Sequence, residues 1–158
     1  FTVYAAAGGA TEIWTVDQST PALDDAAENL RLNGLDPSRV RFLSVDAFTF
    51  NPERTFDLVI CDPPSLTHAR GSDSAARNAY RDLAARAGPW VRAGGLLATA
   101  SCTARLSYER WEQSVREGLR RAGRWSWLWR AGEPPDHPVA LEHQEGRYLK
   151  FAVLRRNS

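Results

Sequence analysis

Two hydrophobic patterns alternate along the chain, and each predicts one kind of element. Short apolar runs, rich in β-branched and aromatic residues, predict strands over 12–16, 40–45, 56–61, 96–102, 125–129 and 147–154. Apolar residues at helical spacing predict a helix that ends at Gly8-Gly9, then helices over 19–33, 74–91 and 107–122. Because strands and helices alternate, the predicted fold class is α/β, with a mostly parallel sheet and helices on both faces.

The strand over 56–61 is followed directly by Asp62-Pro63-Pro64. Neither proline can donate a ladder hydrogen bond and each fixes φ, so the chain is expected to leave the sheet as a stiff loop. Open α/β sheets bind their ligands at the carboxyl ends of the strands. Asp62 is therefore a candidate functional carboxylate, and an ordinary strand-ending turn capped by an acid is the competing interpretation.

Two other predicted strands also end in an acidic residue, Asp17 and Asp46. An acid that closes the second strand of a βαβ series typically accepts hydrogen bonds from ribose hydroxyls. A second acid, at the next strand end, can accept the exocyclic amine of an adenine. Any one of these residues could be a simple cap, but three acids at strand ends favour a cofactor site.

Composition excludes several classes of protein. The chain has 158 residues, of which 43% are hydrophobic and 25% charged, as in a single globular domain. Its two cysteines form no disulfide framework and predict a reducing, cytoplasmic compartment. Three histidines without a Cys-x-x-Cys pair give no support for a metal site, and no apolar stretch is long enough to cross a membrane.

The net charge is only +1, but arginines cluster in the final third of the chain. Such a cluster indicates either a nucleic-acid surface or a solvated helix face. The clustered residues are Arg105, Arg110, Arg116, Arg120, Arg121, Arg124 and Arg130.

With these features in place, the chain resembles class I S-adenosylmethionine-dependent methyltransferases over almost its whole length. More narrowly, it is similar to the bacterial RlmI-type 23S rRNA 5-methylcytosine methyltransferases. The order Asp17, Asp46, Asp62-Pro63-Pro64, Ser101-Cys102 carries the broad resemblance. The narrower one rests on the stretches 29–35, 56–64, Gly94-Gly95 with Ser101-Cys102, Asp136-His137-Pro138 and 145–150. Ser65-Leu66 stand where these enzymes commonly have Lys-Phe.

The resemblance implies S-adenosylmethionine as cofactor, RNA (23S rRNA) as partner, and neither metal nor membrane; a homodimer is left open. It implies that Cys102 is the nucleophile and that Asp62 faces both the cofactor and the target base. The other residues that it assigns are Asp17, Ser19, Asp46, Ala47 and Phe48 for the cofactor, and Pro63, Pro64 and His137 for the substrate.

The implied chemistry explains why a cysteine is needed. C5 of cytosine is not nucleophilic until a thiolate has added to C6, so the enzyme needs an ionisable thiol near the base. Cys61 precedes Asp62 inside a strand and is expected to be a core residue. Two alternatives stay open: methylation of an exocyclic base nitrogen, in which Cys102 is incidental, and a non-catalytic remnant that binds RNA or a partner.

The resemblance also places a first strand and a glycine-rich turn ahead of the given residues. Only residues 5–11 separate Tyr4 from the strand at Glu12, too few for a crossover between parallel strands. Residues 1–7 are therefore predicted to end a helix. We expect 1–158 to be a methyltransferase catalytic domain that lacks its first strand, whose slot lies between the strands ending in Asp17 and Asp62.

Overall fold

The computed structural model describes residues 1–66 and 73–158. The chain divides into two compact units, Phe1–Asn51 and Pro52–Ser158. The predicted loop over 68–74 lies mostly outside the described residues; its last two residues, Asp73 and Ser74, begin a helix.

The first unit consists of a pair of parallel strands and two helices. Its elements are α1 (Thr2–Ala7), β1 (Ile13–Asp17), α2 (Thr20–Leu32), a 3-10 turn (Pro37–Arg39) and β2 (Val40–Ser44). Strands β1 and β2 run parallel in the register from Ile13↔Val40 to Asp17↔Ser44. Ile13, Leu30 and Val40 form the buried core of this unit.

Local signals account for the helix ends in the first unit. Ser19 caps α2, because its hydroxyl accepts a hydrogen bond from the backbone N–H of Ala22 at 3.3 Å. The chain turns after α2 at Gly34, whose φ of 69° strongly favours glycine. Residues 2–7 are helical, which confirms that Phe1–Tyr4 is not a central strand.

The second unit contains a four-stranded sheet and two long helices. Its elements are β3 (Phe56–Cys61), α3 (Asp73–Trp90), β4 (Val91–Ser101), α4 (Tyr108–Leu119), β5 (Trp125–Ala131), a 3-10 turn (Gln144–Gly146) and β6 (Lys150–Arg156). The strand order is β3-β4-β6-β5. Strand β6 is antiparallel to both neighbours, whereas β3 and β4 are parallel. The expected mixed sheet with a final antiparallel strand is confirmed.

The starts of two strands differ from the prediction by three residues or more, and the other strand boundaries differ by two residues or fewer. Strand β4 begins at Val91 rather than Leu96, because Gly94, with φ of 76°, lets the chain bulge out and rejoin the ladder. The pairing with β3 correspondingly jumps from Phe56↔Val91 to Leu58↔Leu96. Strand β6 begins at Lys150 rather than Arg147; just before it, the N–H of Leu149 donates to the Glu133 carboxylate at 3.0 Å.

One edge of β1 and one edge of β3 carry no partner strand among residues 1–66 and 73–158. On β3 the apolar side chains are unusually exposed, at 47% for Leu58 and 37% for Ile60. Parallel strands with this composition normally have both faces covered by other elements. The unpaired edges of β1 and β3 are available to a further strand.

Candidate active site

Asp17 is the last residue of β1, and Asp46 comes two residues after the end of β2. Asp17 Oδ1 accepts a hydrogen bond from the N–H of Ser19 at 2.8 Å, and Asp46 Oδ1 accepts one from the N–H of Phe48 at 2.8 Å. The backbone N–H of Val45 donates to the Asp17 carbonyl at 3.1 Å, which ties the two strand ends together. These two acids therefore lie at the same end of the β1-β2 pair, where both strands have their carboxyl ends.

The arrangement of these residues fits a nucleoside. Asp17 is exposed, and within the described residues no donor binds its second carboxylate oxygen, so that oxygen can accept from a hydroxyl pair. Ala47 and Phe48 are half-buried beside Asp46 and offer an apolar surface for a base. The hydroxyl of Ser19 caps α2, so this residue contributes mainly the turn that orients Asp17.

Asp62 is placed by the second unit, directly after β3. The residue is exposed, yet the surrounding protein desolvates its carboxyl and raises the pKa. Pro63 is half-buried and Pro64 exposed. A carboxyl with a raised pKa is suited to carry a proton towards a base edge.

A buried threonine joins the loop after Asp62-Pro63-Pro64 to the end of β4. Thr103 is fully buried, and its hydroxyl oxygen accepts a hydrogen bond from the N–H of Leu66 at 3.3 Å. The same oxygen lies 2.8 Å from the hydroxyl of Tyr80 on α3 and 3.4 Å from that of Ser65. Cys102 is the residue before Thr103, so this contact brings the Asp-Pro-Pro loop and the cysteine turn to one place.

The two cysteines differ in their environment. Burial raises the pKa of the Cys61 thiol to about 12, so this thiol stays protonated at neutral pH. That supports the prediction that Cys61 belongs to the core. By exposed surface both cysteines are half-buried, and Cys102 lies in the turn after β4.

Other predicted residues lie at the surface. His137 is exposed and packs edge-on against Tyr148, with ring centroids 6.0 Å apart. Three of the clustered arginines bind carboxylates at the surface: Arg110 with Asp73, and Arg116 and Arg130 with Glu112. These contacts favour the solvated-face interpretation for those three arginines.

In the described part of the chain, no cluster of histidine, cysteine and acidic residues could hold a metal, and no helix is long and apolar enough to span a bilayer.

Three polar residues of the site were not singled out by the sequence patterns: Tyr80, Thr103 and Lys150. Tyr80 lies between Ala79 and Arg81, and Thr103 between Cys102 and Ala104, and neither residue belongs to a motif that marks it. Lys150 carried a signal, because it is the single lysine of a chain that otherwise uses arginine for its side-chain cations.

The fold and the strand-end acids define a methyltransferase-like α/β protein, and comparison with known proteins specifies the family. A family model described as S-adenosylmethionine-dependent methyltransferase matches residues 1–148. The chain belongs to this family, whose cofactor is S-adenosylmethionine.

Curated relatives and solved structures agree with that assignment. The chain is 35% identical to the ribosomal RNA large subunit methyltransferase I of Alteromonas mediterranea, over 97% of the chain and 40% of that protein. It is 36% identical to the ribosomal RNA large subunit methyltransferase of Deinococcus radiodurans, over 98% of the chain and 39% of that protein. The chain thus spans about two fifths of the length of these relatives. Its fold matches the crystal structure of the methyltransferase SMU.776 complexed with SAH, with a TM-score of 0.83 at 21% identity, over 98% of this chain and 41% of that one.

Proposed function

We propose that this chain is the catalytic domain of an rRNA methyltransferase that methylates C5 of a cytosine through an adduct with Cys102. The observation that carries the proposal is the contact of Thr103 with Leu66, which brings the turn of Cys102 to the Asp-Pro-Pro loop. The names of the curated relatives support ribosomal RNA as the substrate. The high pKa of Cys61 supports Cys102 as the nucleophile.

Two residues of the second unit, Cys102 and Asp62, have definite roles in this reaction. The Cys102 thiolate adds to C6 of the cytosine, and the electrons of the C5–C6 double bond become available at C5. On binding the base, Asp62 takes up a proton and shares it with N3, where negative charge develops; desolvation raises the pKa of this carboxyl, which favours the uptake. S-adenosylmethionine, when bound, supplies the electrophilic methyl group that C5 receives. A base then removes the C5 proton, the thiolate leaves C6, and the C5–C6 double bond is restored.

Apart from Asp62, the cofactor contacts belong to the first unit in this proposal. Asp17 accepts the ribose hydroxyls with its second carboxylate oxygen, and Ser19 shapes the turn that presents it. Asp46 accepts the adenine amine, while Ala47 and Phe48 line the ring. Pro63 and Pro64 hold Asp62 towards the base. Since His137 lies at the surface, its proposed contact is with RNA outside the reacting nucleotide.

We further propose that a strand and a glycine-rich turn outside residues 1–158 complete this domain. The unpaired edges of β1 and β3 and the exposure of Leu58 and Ile60 support this slot. In the full-length protein, backbone amides over 13–17 and 56–61 should then exchange as slowly as those of β4 in hydrogen-exchange mass spectrometry. Fast exchange in both segments would leave the edges uncovered and the proposal unsupported.

The setting proposed for the enzyme is the cytoplasm, with 23S rRNA as its partner. The absence of a disulfide framework from the sequence agrees with a reducing compartment. A homodimer stays open, and sedimentation of the full-length protein can test it.

The decisive experiment for the function is covalent trapping. RNA that contains 5-fluorocytosine should accumulate a covalent complex with the full-length protein, because fluorine at C5 cannot leave as a proton does. Cys61→Ala is the matched control and should trap normally, whereas Cys102→Ala should not trap. If Cys102→Ala still methylates RNA, the exocyclic-nitrogen mechanism replaces this one.

A further inference from the structure

Lys150 is a buried cation held by two backbone carbonyls. It is the first residue of β6, it is 5% exposed, and it is the chain's single lysine. Its ammonium donates to the carbonyl of Thr103 at 2.8 Å and to that of Tyr148 at 2.7 Å. Desolvation opposes the charge of a buried ammonium, so polar or anionic groups nearby must stabilise it.

The position of Lys150 points to Cys102. In the antiparallel register of β4 and β6, Lys150 is the partner of Ser101, and its ammonium reaches over to the carbonyl of Thr103. The turn that carries Cys102 is therefore held by the lysine from both sides of the cysteine.

The charges around Lys150 leave Cys102 as its best anionic partner. Burial lowers the pKa of Lys150, while the negative charges of Cys102 and Glu133 act to raise it. In the described part of the chain no carboxylate forms an ion pair with Lys150, and the Glu133 carboxylate accepts the N–H of Leu149. The Tyr80 hydroxyl, which contacts Thr103, is not a competing anion, because burial raises the pKa of its phenol and it stays neutral at physiological pH.

We propose that Lys150 is a positioning residue for Cys102, which holds the cysteine turn through the Thr103 carbonyl and stabilises the Cys102 thiolate with its ammonium. The inference rests on the proposed function in so far as it takes Cys102 to be the nucleophile. A cation beside a thiol favours the reactive thiolate. A compact ammonium can bind two converging carbonyls at once, and a planar guanidinium is less suited to that geometry.

The test compares the alkylation of Cys102 by iodoacetamide in the wild-type full-length protein and in Lys150→Met, which keeps an unbranched side chain as far as Cε and removes the ammonium. Peptide-resolved mass spectrometry separates Cys102 from Cys61. At pH 7 the Cys102 rate should fall about tenfold in Lys150→Met, and the rates of the two proteins should converge at high pH, where formation of the thiolate no longer depends on a neighbouring cation. A rate that falls equally at every pH would mean that the lysine acts only on structure, and an unchanged rate would overturn the proposal.

A reciprocal measurement on a folded protein guards against misfolding of the lysine variant. With ¹⁵N-labelled lysine, the Lys150 ammonium signal is assigned by its loss in Lys150→Met. In Cys102→Ser the pKa of Lys150 should fall further, because an anionic neighbour has been removed. An unchanged lysine titration would refute the pairing. Trapping of wild-type protein and of Cys102→Ala with 5-fluorocytosine tests whether Cys102 is the nucleophile without changing Lys150, so failure of the proposed function and failure of this inference give different results.

Discussion

Replacing Thr103 by valine should separate the Asp-Pro-Pro loop from the cysteine turn without a large change in volume. The substitution removes the hydroxyl that binds Tyr80 at 2.8 Å and the N–H of Leu66 at 3.3 Å. Both Thr103 and Tyr80 are almost completely buried, at 0% and 2% exposed. Water therefore cannot replace the lost partner.

The expected cost follows from these contacts. Each lost hydrogen bond contributes about 1 kcal/mol net, and a buried group left without a partner adds a further desolvation penalty of about 1 kcal/mol or more. The Tyr80 hydroxyl retains an interaction with Ser101, which limits that penalty. We therefore expect Thr103→Val to lower the free energy of unfolding of the second unit by about 2–3 kcal/mol.

Urea denaturation followed by tryptophan fluorescence measures this, because five of the six tryptophans lie in the second unit. Thr99→Val is the matched control: Thr99 is 5% exposed, and no side-chain hydrogen bond to a described residue is formed by its hydroxyl. A double-mutant cycle with Tyr80→Phe should give a coupling energy of about 1 kcal/mol. Additive effects, or equal costs for the two threonines, would refute the role given to Thr103.

Two further predictions concern the acids at the strand ends. Asp17→Ala should weaken binding of S-adenosylmethionine by about 2–4 kcal/mol in calorimetry, because charge-assisted hydrogen bonds to the ribose are lost; Asp24→Ala, an exposed acid on α2, should leave the affinity unchanged, and equal effects would remove Asp17 from the cofactor site. Asp62→Asn should abolish methylation yet slightly stabilise the fold at pH 7. The folded pKa of Asp62 is raised, so wild-type stability declines as pH rises from about 4 through that pKa, and the exposed site limits the gain to under about 1 kcal/mol. Thermal scans at pH 4 and pH 7 should show an advantage of the variant only at the higher pH, and an advantage at both would contradict the sign.

The sequence alone determined the features that depend on neighbours along the chain. Ser19 caps α2 and Asn33-Gly34 ends it, as their residue types predict, because caps and left-handed turns are decided within a few residues. Asp17 and Asp46 each accept a hydrogen bond from a backbone N–H two residues later, a turn that their short side chains favour. The apolar runs marked the strands to within a few residues, except where Gly94 permits a bulge in β4.

Only the tertiary structure decided which distant residues meet at the cysteine. The insertion of β6 between β4 and β5 brings Lys150 to Ser101, across about fifty residues of chain. The folding of α3 against the same sheet places Tyr80 on the Thr103 hydroxyl. Local periodicity carries no information about such pairs, because a buried threonine or tyrosine has the same pattern whether its hydroxyl is satisfied by its own strand or by a remote loop. The partner is fixed by strand order and register, which depend on the packing of the whole unit.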